Sequence, residues 1–342
     1  MELRRRPTMD DVARAAGVSK ATVSRVLAGI ENASSAKTAE AVRQTATRLG
    51  YVVNSVAASL RSRQTFTIGL IVADVANPFF GGIASGVEAR LSETGYSVLF
   101  ANTGNSVVRE EAAVRLLVEK QIDGLIAAPS ASVGEHFQDA KQRGVQVVLV
   151  DSEITGLAVD CVTLDNRAAG EAAVRHLLEQ GHRRIAIVTG PLDAAFDRQR
   201  LEGYQAALAA FGAPQQEDQV LREDLVTSGG EGAVARLLRL ADRPTAVFVT
   251  NNMMTLGVLL GLNKAGVRIP EEISVVGFDD QDWYSVTHPP LTGVTNPGFD
   301  MGVAAADRLL LQLRRKEATA ERIVLPARLI VRDSTAAPHR GR

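Results

Sequence analysis

Cysteine is nearly absent from this chain. The single Cys161 excludes an internal disulfide framework and any Cys-rich metal pattern, and it fits a reducing, cytoplasmic setting. Long hydrophobic runs are missing as well: no stretch approaches the ~18 apolar residues of a membrane span. The opening MELRRRPTMDD has no apolar core behind its basic residues, so no secretory signal is expected. Catalytic signatures are also lacking. There is no G-x-G-x-x-G after the first apolar strand, no G-x-x-x-x-G-K-[ST], no G-x-S-x-G and no metal-ligand cluster. His136, His176, His182, His288 and His339 are scattered, and none stands beside an evident nucleophile. His182, in QGHRR, is expected to meet the last carbonyls of the helix it follows. The expectation is a protein that is not an enzyme, with no cofactor and no metal.

What is present is a 342-residue chain with 46% hydrophobic and 23% charged residues, the balance of a soluble globular protein. Its length implies two or three domains. The net charge of −1 hides an asymmetry: residues 1–64 hold eleven Lys and Arg against five Asp and Glu, and the rest hold 27 against 34. A basic head on an acidic body suggests a polyanion partner for the head, the plainer alternative being a solvated basic tail.

The head reads as three short helices. Thr8 and Asp11 have the spacing of a capped helix start, Val12, Ala13 and Ala16 share a face, and Gly17 supplies a left-handed stop. Ser19 can cap a second helix that turns Val23, Val26 and Leu27 inward and Lys20, Ala21, Thr22, Ser24 and Arg25 outward. Hydroxyls, a methyl and two cations suit base edges, thymine methyls and phosphates. A third helix follows, with Ser35 as cap, Val42, Ala46 and Leu49 as buried face and Gly50 as stop. Residues 54–62, NSVAASLRS, then pose a problem: they are mildly helical but shorter than the ~12–15 residues an isolated helix needs.

VSKATVSRVL, Ala36–Thr38, LGY and the Asn54–Leu60 stretch together resemble the DNA-binding head of the lactose/galactose repressor (LacI/GalR) family, and the similarity runs from Thr8 to Ser334. The resemblance implies a sequence-specific, DNA-binding transcriptional regulator. Residues 1–50 would be the helix-turn-helix domain, 51–64 a hinge, 65–334 a two-lobed effector-binding and dimerisation body, and 335–342 a tail. In the family the hinge segment folds only when a dimer sits on its operator, which accounts for a helix unable to stand alone. The resemblance places Thr8, Ser19, Lys20, Ala21, Thr22, Ser24, Arg25, Lys37 and Tyr51 at the DNA surface. It places Asn54 at the backbone, Ala57 against the minor-groove floor and Leu60 as an apolar wedge. Val53 stands where many members have proline.

From Thr65 onward, apolar strands such as TIGLIVADV, YSVLFANT, VQVVLVD, RRIAIVTGP and ISVVGFDD alternate with helical segments, Val107–Gln121, Ala168–Gln180 and Arg200–Phe211 among them. The fold expected is an all-α helix-turn-helix head plus an α/β, periplasmic-binding-protein-like body of two doubly wound parallel-sheet lobes. The resemblance implies three crossings between the lobes.

Ligands of such sheets sit beyond the carboxyl ends of the strands. There the chain carries Phe80 (with Phe79 taken as core), Asp151, Arg200, Asn251, Asp279 and Trp283. Carboxylate, amide and guanidinium can grip a polyol's hydroxyls while aromatic faces cover its C–H side. By family position Asp151, Arg200, Asn251 and Asp279 match sugar-binding residues, although strand-end carboxylates also cap helices. Asn252 departs from the family's usual aspartate. Hexose, pentose and sugar acid all remain open as effector, with a purine-like ligand less favoured. Repression relieved by the ligand is preferred, and corepression is compatible. The tail RDSTAAPHRGR carries no heptad, which predicts a homodimer on a pseudo-palindromic double-stranded operator. The alternative is a solute-binding protein with no DNA role, which would need an export signal.

Overall fold

Three helices make the head: α1 (Met9–Ala16), α2 (Lys20–Leu27) and α3 (Ala36–Leu49). The computed structural model describes residues 7–27, 34–51, 64–315 and 319–339, and the chain divides into two compact units, Met1–Thr65 and Phe66–Arg342. Thr8 and Asp11 form a reciprocal capping box. Thr8 N donates to Asp11 Oδ2 at 2.9 Å and Asp11 N donates to Thr8 Oγ1 at 3.4 Å, pairing donors that a helix start leaves open. Ser19 Oγ accepts from Thr22 N at 3.1 Å and Ser35 Oγ from Thr38 N at 3.2 Å. Gly17 and Gly50 end their helices at φ 66, a left-handed backbone that favours glycine. Val12, Val23 and Val42 are fully buried, with Ala13, Val26 and Ala46 around them. Leu49, expected inside, is 37% exposed. The chain reverses at Gly50, Tyr51 N bonds back to Ala46 O at 2.9 Å, and the Tyr51 ring packs against the head's core.

The second unit holds two six-stranded sheets. The first lobe contains β1 (Thr67–Val72), β2 (Ser97–Asn102), β3 (Gly124–Ala127), β4 (Gln146–Asp151), β5 (Asp160–Leu164) and a late strand β11 (Arg322–Leu325). Their order is β11-β5-β4-β3-β1-β2, all parallel. The second lobe contains β6 (Ile185–Thr189), β7 (Val220–Arg222), β8 (Ala246–Val249), β9 (Ser274–Phe278), β10 (Thr292–Val294) and β12 (Leu329–Ile330). Their order is β12-β10-β9-β8-β6-β7, parallel except for the antiparallel β10–β12 pair.

Helices α4 (Pro78–Ser92), α5 (Val107–Glu119), α6 (Glu135–Gln142), α7 (Asn166–Glu179), α8 (Ala195–Ala210), α9 (Thr227–Leu237), α10 (Asn252–Lys264) and α11 (Gly298–Arg314) cover these sheets. The inner strands β3, β5, β6, β8 and β9 are buried throughout, which is why they read as unbroken apolar runs. β2 differs. It is an edge strand, and Leu99 and Phe100 are 41% and 47% exposed, against the buried strand expected from YSVLFANT.

The chain passes between lobes after β5, after β10 and between β11 and β12. The second crossing returns α11 to the first lobe, where Met301, Ala305 and Leu309 join the core. It packs on α4 so closely that a Cβ on Gly86 would meet the Phe299 carbonyl, so glycine is required there. Arg308 Nε and Gln312 Nε2 donate to Asp160 Oδ2 at 2.9 and 2.7 Å, pinning α11 to β5. Beyond β12 the chain still packs on the second lobe. Ser334 Oγ accepts from Thr292 N at 2.8 Å and donates to Val275 O at 2.7 Å. The His182 ring lies between Thr245 Oγ1 (2.8 Å) and Ala336 O (2.9 Å), so its side chain meets this final segment rather than the preceding helix's carbonyls. No helix among the described residues is long and apolar enough to cross a membrane.

Candidate functional site

In each lobe the strand order reverses around one strand: β1 lies between β2 and β3, and β6 between β7 and β8. Loops diverge at such a reversal and leave a crevice at the strands' carboxyl ends. Residues following β1 and β6 line one cavity of about 470 Å³ between the lobes, a size that suits a small ligand.

Five of the six sequence-predicted effector residues line it: Phe80, Asp151, Arg200, Asn251 and Asp279. Phe79 also reaches it, and the two rings sit 5.2 Å apart at 60°; both are largely buried in the first lobe's core as well. Asp151 ends β4 at φ 71 and Asp279 follows β9 at φ 74. Two aspartates in a left-handed backbone at matching strand ends store strain where it turns both side chains off the sheet. Nothing in the sequence signals those dihedrals.

The partners of each group differ. Arg200 is 3% exposed; its Nε donates to Asn166 Oδ1 at 2.9 Å and its Nη1 to the Thr250 carbonyl at 2.6 Å. Its guanidinium carbon lies over the Phe278 ring, 3.7 Å from the centroid, with the Phe196 centroid at 5.0 Å. The Asp151 carboxylate accepts no hydrogen bond from the described residues. Burial pushes it up to about 7, with Arg200 pulling it back and Asp279 and Asp197 pushing further. Asp279 is raised for the same first reason, although its Oδ2 accepts from Asn252 N at 3.1 Å and its Oδ1 from Asn296 Nδ2 at 2.9 Å. Asn251 spends its Oδ1 capping α10, accepting from Met253 N and Met254 N at 2.9 and 3.2 Å. Only its Nδ2 is left to face a ligand.

Trp283 is not at the cavity, contrary to the position expected for it. The turn Asp282–Ser285 sends Tyr284 inward instead, fully buried beneath Gly277 and Gly293, with its hydroxyl donating to Phe278 O at 2.6 Å. Trp283 stacks edge-on against Tyr284 and borders a separate hollow of about 640 Å³ with Leu256 and Leu260.

Sequence reasoning missed several lining residues, among them Asn77, Phe196, Asp197 and Asn296. Asp197 is fully buried and pushed up to about 6, by burial first, against Arg200 and the Gly190 N–H. Its signal was available, since it lies in the same GPLDAAFDRQR segment that pointed to Arg200, one helical turn before it. Among the described residues no group of three or more His, Cys, Asp or Glu could hold a metal ion.

In the head, Ser19 before α2 and Lys20, Ala21 and Arg25 on it are exposed, Thr22 and Ser24 are half-buried beside them, and Lys37 is exposed at the start of α3. Lys20 Nζ is 2.9 Å from Asp10 Oδ2 in an exposed ion pair, a contact weak enough to exchange for another anion. Thr8 is engaged in its capping box, and Tyr51 is half-buried. Asn54, Ala57 and Leu60, and Val53 before them, lie outside the described residues.

A helix-turn-helix with an exposed polar, cationic second helix, joined to a two-lobed body with a polar cleft, defines a ligand-sensing regulator. Two family models match: bacterial regulatory proteins of the lacI family over residues 8–54, and periplasmic binding proteins and sugar binding domain of LacI family over residues 65–333. The chain belongs to the LacI family of transcriptional regulators. It is 36% identical over 330 residues to catabolite control protein A of Priestia megaterium, covering 96% of this chain and 99% of that one. A solved complex of the transcriptional regulator CelR with cellobiose matches with TM-score 0.74 and 34% identity, over 96% of this chain and all of that one. A lac repressor dimer bound to operator and the anti-inducer ONPF matches with TM-score 0.86 and 29% identity, over 97% of this chain and all of that one.

Proposed function

We propose that this protein is a homodimeric, non-enzymatic repressor that acts in the cytoplasm, binds a pseudo-palindromic operator through its head and releases it when a sugar enters the cleft. The observation carrying the reading is that the buried Arg200 guanidinium and the Asp151 carboxylate, which accepts no hydrogen bond from the described residues, line one cavity bounded by both lobes. Phe80, Asn251 and Asp279 complete the grip on the ligand, and Trp283 has no part in it. Residues 1–50 form the DNA-binding domain, 51–64 the hinge, 65–334 the sensing and dimerising body and 335–342 the tail.

Lys20, Ala21 and Arg25 read bases and phosphates in the major groove, with Ser19, Thr22 and Ser24 beside them, Thr8, Lys37 and Tyr51 on the backbone, and Asn54, Ala57 and Leu60 in the minor groove. A ligand that draws the lobes together changes the strain on the hinges of both subunits, and a preference of ~1–3 kcal/mol between states suffices for control. The test is operator selection from a random duplex library, followed by anisotropy titration of the selected site with and without each of a panel of sugars. A selected site with two-fold symmetry, released by one sugar, is the expected result. Failure to enrich any sequence would overturn the DNA reading, and tighter binding with sugar would reverse the sign.

A further inference from the structure

The cavity's lining is unbalanced in charge. Asp74, Asp151, Asp193, Asp197, Asp224 and Asp279 face one cation, Arg200, with no lysine or histidine among the lining residues. Asp193 and Asp224 are exposed at the rim, whereas Asp151, Asp197 and Asp279 are buried beside the guanidinium. Two of that guanidinium's nitrogens already serve Asn166 and Thr250. It is therefore partly neutralised before any ligand arrives, and one arginine cannot hold three buried carboxylates and an incoming anion together.

The hydrogen-bonding inventory leans the same way. Asp151 has a carboxylate with no hydrogen bond among the described residues, and Asp197 Oδ2 and Asn296 Oδ1 are buried with no partner there. On the donor side stand the Nδ2 groups of Asn77, Asn105 and Asn251 and the remaining Arg200 Nη2, fewer than the oxygens of the six lining aspartates. An acceptor-rich lining calls for a ligand that brings donors. Each hydroxyl of a polyol brings one; oxidising a carbon to carboxylate, or phosphorylating an oxygen, removes donors and adds a like charge.

We infer that the cleft discriminates by ligand charge, accepting an uncharged polyhydroxylated ligand and rejecting the same skeleton once it carries a carboxylate or phosphate. This rests on the sugar-sensing reading above and narrows it. The phenyl rings of Phe80 and Phe196 offer apolar faces for the C–H side of the ring, and the carboxylates take its hydroxyls. Like-charge repulsion in a part-buried site is screened far less than at the surface.

The experiment is a thermal-shift and calorimetric comparison of ring-matched sets on the full-length protein at pH 8, above the values of about 7 and about 6 to which burial raises Asp151 and Asp197. The sets are glucose, glucuronate and glucose 6-phosphate; galactose, galacturonate and galactose 6-phosphate; ribose and ribose 5-phosphate; cellobiose and cellobiose 6-phosphate. The neutral member of one set should bind and its anionic partners bind at least about tenfold more weakly. An Asp151→Asn, Asp197→Asn double variant should narrow that gap by weakening the neutral ligand and admitting the anion. An anionic member binding more tightly than its neutral partner overturns the charge selectivity and leaves the sugar-sensing reading standing. Neutral and anionic members binding equally also overturns it, as does a gap unchanged in the double variant. Silence across every set overturns the sugar-sensing reading itself.

Discussion

Asn252 Nδ2 donates to Asn77 Oδ1 at 2.9 Å, joining the start of α10 in the second lobe to the start of α4 in the first. The same Asn77 oxygen accepts from Phe79 N at 3.0 Å and so caps α4. The family's usual aspartate at position 252 would set an acceptor against that oxygen, close to Asp279, whose Oδ2 already takes the Asn252 N–H. The departure at Asn252 is thus a donor placed against the Asn77 oxygen of the opposite lobe.

Asn252→Asp should destabilise the ligand-free protein by about 1–2 kcal/mol, because a buried hydrogen bond becomes a buried repulsion. Urea unfolding at neutral pH measures it. Unchanged stability would mean that the Asn77 amide turns over at no cost, and that its cap on α4 is dispensable.

Asp151 and Asp197 set a pH dependence whose sign follows from their displacement. Burial raises them to about 7 and about 6, so between pH ~4 and those values the folded chain keeps protons that the unfolded chain has released. Stability from this source falls as pH rises through that window. His176 and His182 oppose it: burial lowers both, so their contribution is lost as pH falls below ~6.5. The carboxylate effect is isolated by comparing Asp151→Asn with the parent. The variant should gain relative stability on the order of 2 kcal/mol between pH 5 and 7.5. Parallel stability curves would remove Asp151 as the source.

Arg25→Ala and Lys20→Ala should each weaken operator binding about tenfold or more at low salt, and each should leave the thermal shift produced by a cleft ligand unchanged. Arg25 Nε donates to Ala21 O of its own helix at 3.3 Å, and neither Arg25 nor Lys20 belongs to the head's buried core, so neither change removes a core contact. Loss of both readouts would mean misfolding rather than lost recognition.

Leu60→Ala should reduce binding to the selected operator more than binding to random duplex, because a wedge acts on a bent site. Competition titrations against both duplexes decide it, and equal losses would remove the wedge role.

Trp283, the single tryptophan, borders a hollow with Leu256 and Leu260 rather than the cleft. Trp283→Phe should therefore bind the effector within about twofold of the parent, measured by calorimetry. A tenfold loss would place the indole against the ligand after all.

Much of this was legible in the sequence because it rests on local chemistry. Thr8 with Asp11, and Gly17 and Gly50 at helix ends, act over three or four residues, and the structure places each as read. Inner strands buried on both faces write themselves as apolar runs. The weaker points lie where tertiary placement decides. DCVTL, VLR and TGV are short, and only their neighbours make them β5, β7 and β10. Asp197 reaches the cleft from the first turn of α8 and Asn296 from the segment after β10, placements that only the tertiary fold fixes, while Trp283 and Tyr284 are adjacent and only the fold chooses which goes inside.

The three crossings have a consequence for synthesis. The first lobe's core is completed by Met301, Ala305 and Leu309, and its sheet by β11, all from the far end of the chain. The second lobe's sheet in turn ends on β12, with Ser334 sealing Val275. Neither lobe is a continuous stretch of sequence, so a ribosome that has made the first 290 residues has finished neither. Premature termination would release no half-sensor, only a head attached to two incomplete sheets, and a frameshift near the end would cost the cell both lobes at once.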